Sequence, residues 1–255
     1  MISFARKFWL GFMTPLAGLN LIVSSHRIRR LAILPFFLTL IVFVVGLALG
    51  LPFITSLVAP FTAWIVSLFK VKPTSDTAIW MSWVLPVLIW PALAVALLYI
   101  LVVVTRLFVS PFYSLLSEKV LVVRGVLQPE KFRLVPWVSS NFKMLRVSLL
   151  KAFLFSAVGL ILTVLSFIPG VGLITAFGFM VLIAYDVTDY ALEALQWNVP
   201  QRFDFFKRHF PAFIGLGAAL GLVFLIPGLN FFLLPASVAG AADLVRRLRG
   251  TDPQN

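Results

Sequence analysis

There is no cysteine in this chain, which removes disulfides, thiolate metal sites and cysteine nucleophiles together. Histidine is nearly as scarce: His26 and His209 stand far apart in basic surroundings, and no His-Glu-x-x-His, Gly-x-Ser-x-Gly or metal-spaced cluster accompanies them. An enzyme site needs convergent nucleophiles, bases or ligands, so the sequence does not read as an enzyme and implies neither cofactor nor metal. No glycine-rich loop ending in Gly-Lys-Ser/Thr is present, which leaves nucleotide hydrolysis without a phosphate cradle. Charge is sparse and one-sided, with 12% charged residues, 9 acidic side chains against 21 Lys and Arg, and a net charge of +12. These cations punctuate hydrophobic runs and form no soluble basic face, which points to membrane topology and away from nucleic acid.

What is abundant is apolar sequence, 61% of the chain, far beyond soluble globular composition. Two uncharged runs, 31–69 and 77–105, each exceed the about 20 helical residues that cross a hydrocarbon core. The first span is predicted to end between Pro52 and Pro60, ahead of an apolar surface segment through Trp64, and Pro86 and Pro91 are predicted to kink the second. Trp80, Trp83 and Trp90 suit an interfacial belt.

Two further apolar stretches, 152–185 and 210–242, are each interrupted by Ile-Pro-Gly, at Pro169-Gly170 and Pro227-Gly228-Leu229-Asn230. Proline lacks an N–H and glycine tolerates positive φ, so each phrase reads as a stop and a corner. The arms on either side are too short to cross a bilayer, and the corners recur about 58 residues apart, as in a repeated helical hairpin. Half-membrane hairpins whose corners, Pro169, Gly170, Pro227, Gly228 and Asn230, border a polar pathway are one reading; two kinked single spans are the other.

Polar segments fill the intervals. Residues 1–23 read as an uncleaved amphipathic segment near the interface with Phe8, Trp9 and Phe12 on its buried side. Residues 106–151 form a helical cytoplasmic region, with a helix start at Ser110-Pro111, an end at Arg124-Gly125, and an amphipathic helix from Val138 bearing Phe142, Leu145 and Leu149 on one face. Asp186, Asp189 and Glu193 share a helix face, suited to a cation, a proton relay or simple pairing with nearby basic groups, and the basic group Arg202, Lys207, Arg208 and His209 leads into the second interrupted stretch. Asp243 is spaced for pairing with Arg246 and Arg247. Two crossings and two re-entrant hairpins put nearly all cations on the cytoplasmic side and leave Lys70 and Lys72 outside.

Before the first span stands Ser25-His26-Arg27-Ile28-Arg29-Arg30, with Ser25 as N-cap. Cations in a first helical turn oppose the macrodipole unless an anion balances them. Anchoring to anionic lipid satisfies this, and so does a cradle for a tetrahedral oxyanion built from free N–H groups and guanidinium forks.

In Arg27 to Pro35, Ser110 to Glu118, Phe167 to Gly172, Asp189-Tyr190, and Ile226 to Asn230 continuing through Pro235 to Gly240-Ala241, the sequence resembles the CysZ sulfate transporter family, related to the etoposide-induced membrane protein group. The resemblance implies an all-α, multi-pass protein of the bacterial inner membrane, with two long spans, half-membrane hairpins and a helical cytoplasmic part, assembled as a homo-oligomer. It also implies sulfate uptake feeding cysteine synthesis. A glycine, an apolar residue and two arginines bind sulfate in that family, which carries over to Ile28, Arg29 and Arg30. This chain departs from the pattern with Arg27 in place of the glycine, which adds a cation to the candidate site and a side chain where backbone could otherwise approach. Ala191 likewise stands where the family has proline. The expected partners are therefore sulfate or a similar anion, membrane lipids and further copies of the chain. A non-transporting scaffold or lipid-interacting protein of the same fold is the competing reading.

Overall fold

The computed structural model describes residues 3–69, 75–128, 153–226 and 229–250. Among them every regular element is an α-helix: α1 (Phe4–Phe12), α2 (Thr14–Ser24), α3 (His26–Leu68), α4 (Asp76–Val123), α5 (Phe153–Ser166), α6 (Gly172–Ala194), α7 (Val199–Arg208), α8 (Phe210–Phe224) and α9 (Leu229–Arg249). Three of these, in α3, α4 and α6, are long and apolar enough to cross a membrane. The amphipathic segment expected from Val138 lies outside the described residues, as do Lys70, Lys72, Pro227 and Gly228.

The chain divides into two compact units, Thr39–Arg106 and the combination of Met1–Leu38 with Leu107–Asn255. In the first, α3 and α4 run antiparallel, with Gly46 against the Leu101 side chain and Gly50 against Leu97. Large apolar side chains point outward from this pair, among them Leu49 at 70% and Trp83 at 74% exposure, as lipid-facing residues do. Two boundaries differ from the sequence reading. Helix α3 does not stop between Pro52 and Pro60 but continues for 43 residues to Leu68, and α4 does not start at Ser110-Pro111 but passes through it in a helix of 48 residues. Each interior proline deletes a single ladder bond, and in an apolar run with helix on both sides the remaining bonds outweigh that loss.

Arg124-Gly125 ends α4 as expected. Gly125 takes a φ of 72°, and the Val126 N–H bonds back to the Leu121 carbonyl at 2.9 Å.

The second unit holds the core. Ile28, Leu116, Val120, Leu121, Ala184, Leu192, Phe205, Phe213, Leu216, Val238 and Val245 form one buried cluster drawn from α3, α4, α6, α7, α8 and α9. The first two helices dock onto the last two through glycine. Gly11 of α1 lies against the Ala212 carbonyl of α8, and Gly215 of α8 against the Phe8 carbonyl of α1. Gly18 of α2 lies against the Ala236 carbonyl of α9, and Gly240 of α9 against the Thr14 carbonyl of α2. The inner stripe of the opening segment is thus small, with Gly11, Thr14, Pro15, Gly18 and Leu21 buried, while Phe8 and Phe12 are only partly covered. Trp9 is 58% exposed, on the side of α1 away from Gly11, where an interfacial indole would meet the bilayer. Lys7 adds a tie by donating from Nζ to the Arg208 carbonyl at the C-terminal end of α7 (3.1 Å).

Substituting Val at Gly215 or Gly240 forces these backbones apart. Each change should lower stability by about 1–3 kcal/mol, whereas Ala at Gly159, whose Cβ would make only an ordinary contact with Phe179, should not. Thermal unfolding of the purified variants in detergent measures the difference.

Candidate functional site

Helix α3 begins at His26, directly after an extended Ser25 (φ −116°, ψ 111°), the backbone geometry of an N-cap. The first bond of its ladder runs from the Arg29 N–H to the Ser25 carbonyl at 2.9 Å. The N–H groups of His26, Arg27 and Ile28 lie ahead of that bond and point along the helix axis. Ile28 is fully buried and Ala32, one turn on, nearly so. These two fix the inner face of the turn and turn Arg27, Arg29 and Arg30 outward, where all three are exposed. Ile28, backbone included, is closed to solvent in this arrangement. Arg29 donates from Nη2 to His26 Nδ1 at 2.6 Å. Among the described residues, no carboxylate is paired with Arg27, Arg29 or Arg30.

Other arginines of this unit are committed. Asp189 of α6, 2% exposed, accepts at both Oδ1 and Oδ2 from a single nitrogen, Arg202 Nη1 of α7, at 3.0 and 3.1 Å. Arg202 also donates from Nε to the Trp197 carbonyl at 2.8 Å. That carbonyl is placed by the end of α6, where Gln196 turns into positive φ (59°) and the Trp197 N–H closes on Leu192. A capping box between Asn198 and Gln201 then starts α7. Of the alternatives for the acidic face, pairing describes Asp189, and no group of three or more acidic or histidine side chains able to hold a metal ion is found among the described residues.

Asp243, beyond the apolar stretch of α9, is the second such centre. It is 1% exposed and meets Arg246 Nε at 2.9 Å, Arg247 Nη2 at 2.7 Å and Arg124 Nε at 3.0 Å. The Arg246 and Arg247 pairings were legible in the spacing; Arg124, which ties the end of α4 to α9, carried no local signal. Burial alone would raise the Asp243 carboxyl, but the Arg246 and Arg247 hydrogen bonds and charges outweigh it and hold it below the usual carboxylate range.

The corner at Pro169-Gly170 forms as expected. Helix α5 ends at Ser166, Gly170 adopts a φ of 87°, and α6 starts at Gly172. A Cβ on Gly178 would come within 3.2 Å of Leu162, and one on Gly159 within 3.8 Å of Phe179, so α5 and α6 fold back along one another. The second arm is not too short to cross, as the sequence reading had it, because its helix continues past Tyr185 to Ala194 and at 23 residues is long and apolar enough to span a bilayer. In the later stretch α8 ends at Phe224 and α9 begins at Leu229, with Asn230 in its first turn.

An arginine-bearing helix start, helices that fold back at a proline-glycine corner and apolar spans come together with a match of residues 14–235 to the family described as Sulfate transporter CysZ/Etoposide-induced protein 2.4. The chain belongs to this family. A Pseudomonas aeruginosa protein named Sulfate transporter CysZ is 30% identical over 236 residues, covering 88% of this chain and 89% of its own. Proteins of the same name from Pseudomonas fluorescens and Pectobacterium atrosepticum are 29% and 25% identical, covering 92% and 91% of this chain and 92% and 85% of theirs. As a member of the CysZ/etoposide-induced protein family with helices long and apolar enough to cross a bilayer, this is a membrane protein.

Removing the charge at Asp243 leaves three arginines facing one another. Asp243→Asn should cost about 3 kcal/mol, the low end for breaking a buried pair because the arginines remain partly hydrated. A carboxyl held below its ordinary value of 3.8 contributes stability above that pH and loses it as pH falls through the folded-state value. Acid unfolding of the native protein should therefore steepen below about pH 4, with a shallower slope in Asp243→Asn.

Proposed function

We propose that the protein is a sulfate permease of the bacterial inner membrane, supplying sulfate for cysteine synthesis without ATP hydrolysis, and that the oxyanion is captured at the start of α3. The observation that carries this is the contrast between two sets of arginines in one unit. Arg124, Arg202, Arg246 and Arg247 are consumed by buried aspartates, whereas Arg27, Arg29 and Arg30 stand exposed beside the open N–H groups of a helix start. That combination of guanidinium forks and axial N–H groups suits a tetrahedral dianion. Arg29 and Arg30 make the principal contacts, Ile28 is the buried apolar residue of the motif that sets their direction, and Arg27 adds a cation where the family has glycine.

From there the anion passes along a route bordered by the hairpin corners, Pro169-Gly170 and Pro227-Gly228 with Asn230, at mid-bilayer depth. Helix α8, at 15 residues, is too short to cross by itself, which supports this reading for the later corner, whereas α6 after Pro169-Gly170 is long enough to cross. Gradient or metabolic pull supplies the driving force, and several copies of the chain make up the assembly.

Labelled sulfate uptake into proteoliposomes should fall about 10-fold or more for Arg29→Ala and Arg30→Ala, the effect of losing a charged hydrogen bond. Arg→Lys at the same positions should also impair uptake, because lysine supplies a point charge without the fork. Uptake unchanged in all four variants would instead assign these arginines to lipid headgroups in a non-transporting scaffold.

A further inference from the structure

The contact between Arg29 Nη2 and His26 Nδ1 has no counterpart in the sequence reading, where His26 figured only as an isolated histidine. A guanidinium has donors and no lone pair to accept with, so Nδ1 must be the acceptor, and the ring is neutral with its proton on Nε2. The two residues are three apart, hence on the same face of the first turn. Both side chains are exposed, so their bond closes no core.

We infer that His26 is a positioning residue for anion capture: it pins the Arg29 guanidinium against the first turn of α3, beside the open N–H groups of that turn. The inference rests on the reading that Arg29 binds sulfate. Arginine offers five N–H donors, and giving one to His26 leaves four, enough for a bidentate grip on an oxyanion. An unanchored arginine loses its rotamer freedom when the anion fixes it; one already held by an imidazole loses less. The neutral ring restrains the cation without cancelling its charge, which a carboxylate in the same place would do. Its outward Nε2–H is a further donor of the sign the anion needs.

Sulfate uptake by full-length protein in liposomes, measured across sulfate concentrations, tests the assignment alongside calorimetric titration of sulfate in detergent. In His26→Ala the half-saturating sulfate concentration should rise about 3–10-fold, as expected for one lost hydrogen bond, with maximal flux within about twofold. His26→Asn, whose carbonyl oxygen stands where Nδ1 does, should restore most of the affinity, and His26→Lys, which can only donate, should not. If Arg29→Ala weakens binding while His26→Ala does not, the positioning role is wrong and the sulfate site survives. If neither variant changes binding, the sulfate site is wrong and this role goes with it. Lower maximal flux or yield in His26→Ala at unchanged half-saturation would make His26 a structural residue and overturn the inference, as would failure of His26→Asn to recover the affinity lost in His26→Ala.

Discussion

A carboxylate removed from water must be met by cations, and the larger unit of this protein is assembled around two that are. Asp189 joins α6 to α7 through Arg202, and Asp243 joins α9 to the end of α4 through Arg124. Neither pair adds much net stability against an apolar alternative, but leaving either aspartate alone would be costly. The pairs therefore act as registration marks: helices that could slide along greasy surfaces are held at the one position where the charges meet. Ile28 belongs to the same buried cluster as α4, α7 and α9, so the start of α3 inherits that position.

The same accounting separates structural from available charge. A chain with an excess of basic residues has no shortage of arginines for lipid contact, and most of their placements say little about function. The first turn of α3 differs because its cations sit where the helix dipole disfavours them, and the buried Ile28 and Ala32 turn them outward. That unbalanced charge at a helix start is what supports the proposed anion site.

Much of this was legible from local patterns. Corner chemistry at Pro169-Gly170, the glycine stop after Arg124 and the spacing of Asp243 with Arg246 and Arg247 each depend on residues close in sequence, and each appears where the pattern puts it. The arginine cluster was found the same way, but the His26 contact was not, since nothing in the string says which way a guanidinium folds. Helix ends at proline were overread: Pro52, Pro60 and Pro111 sit inside continuous helices, because the penalty for one missing bond is local and the apolar run is long. The Arg124–Asp243 and Arg202–Asp189 pairs and the glycine seams at Gly11, Gly18, Gly215 and Gly240 join separate helices. Pairing across such distances leaves no trace in periodicity, and glycines in apolar helices look like mere dilution until a partner backbone lies against them.

Those seams also set an order of events during synthesis. Gly11 and Gly18 leave the ribosome about 200 residues ahead of Gly215 and Gly240, the residues whose helices receive them. At about 5–20 residues per second that is a delay of roughly 10–40 s. Throughout it, two short apolar helices have no protein to rest against, and the bilayer surface is the natural place for them to wait. The opening pair of helices thus cannot reach its partners until the last two helices are made, and docking of the earliest helices onto the latest is a late step of the fold.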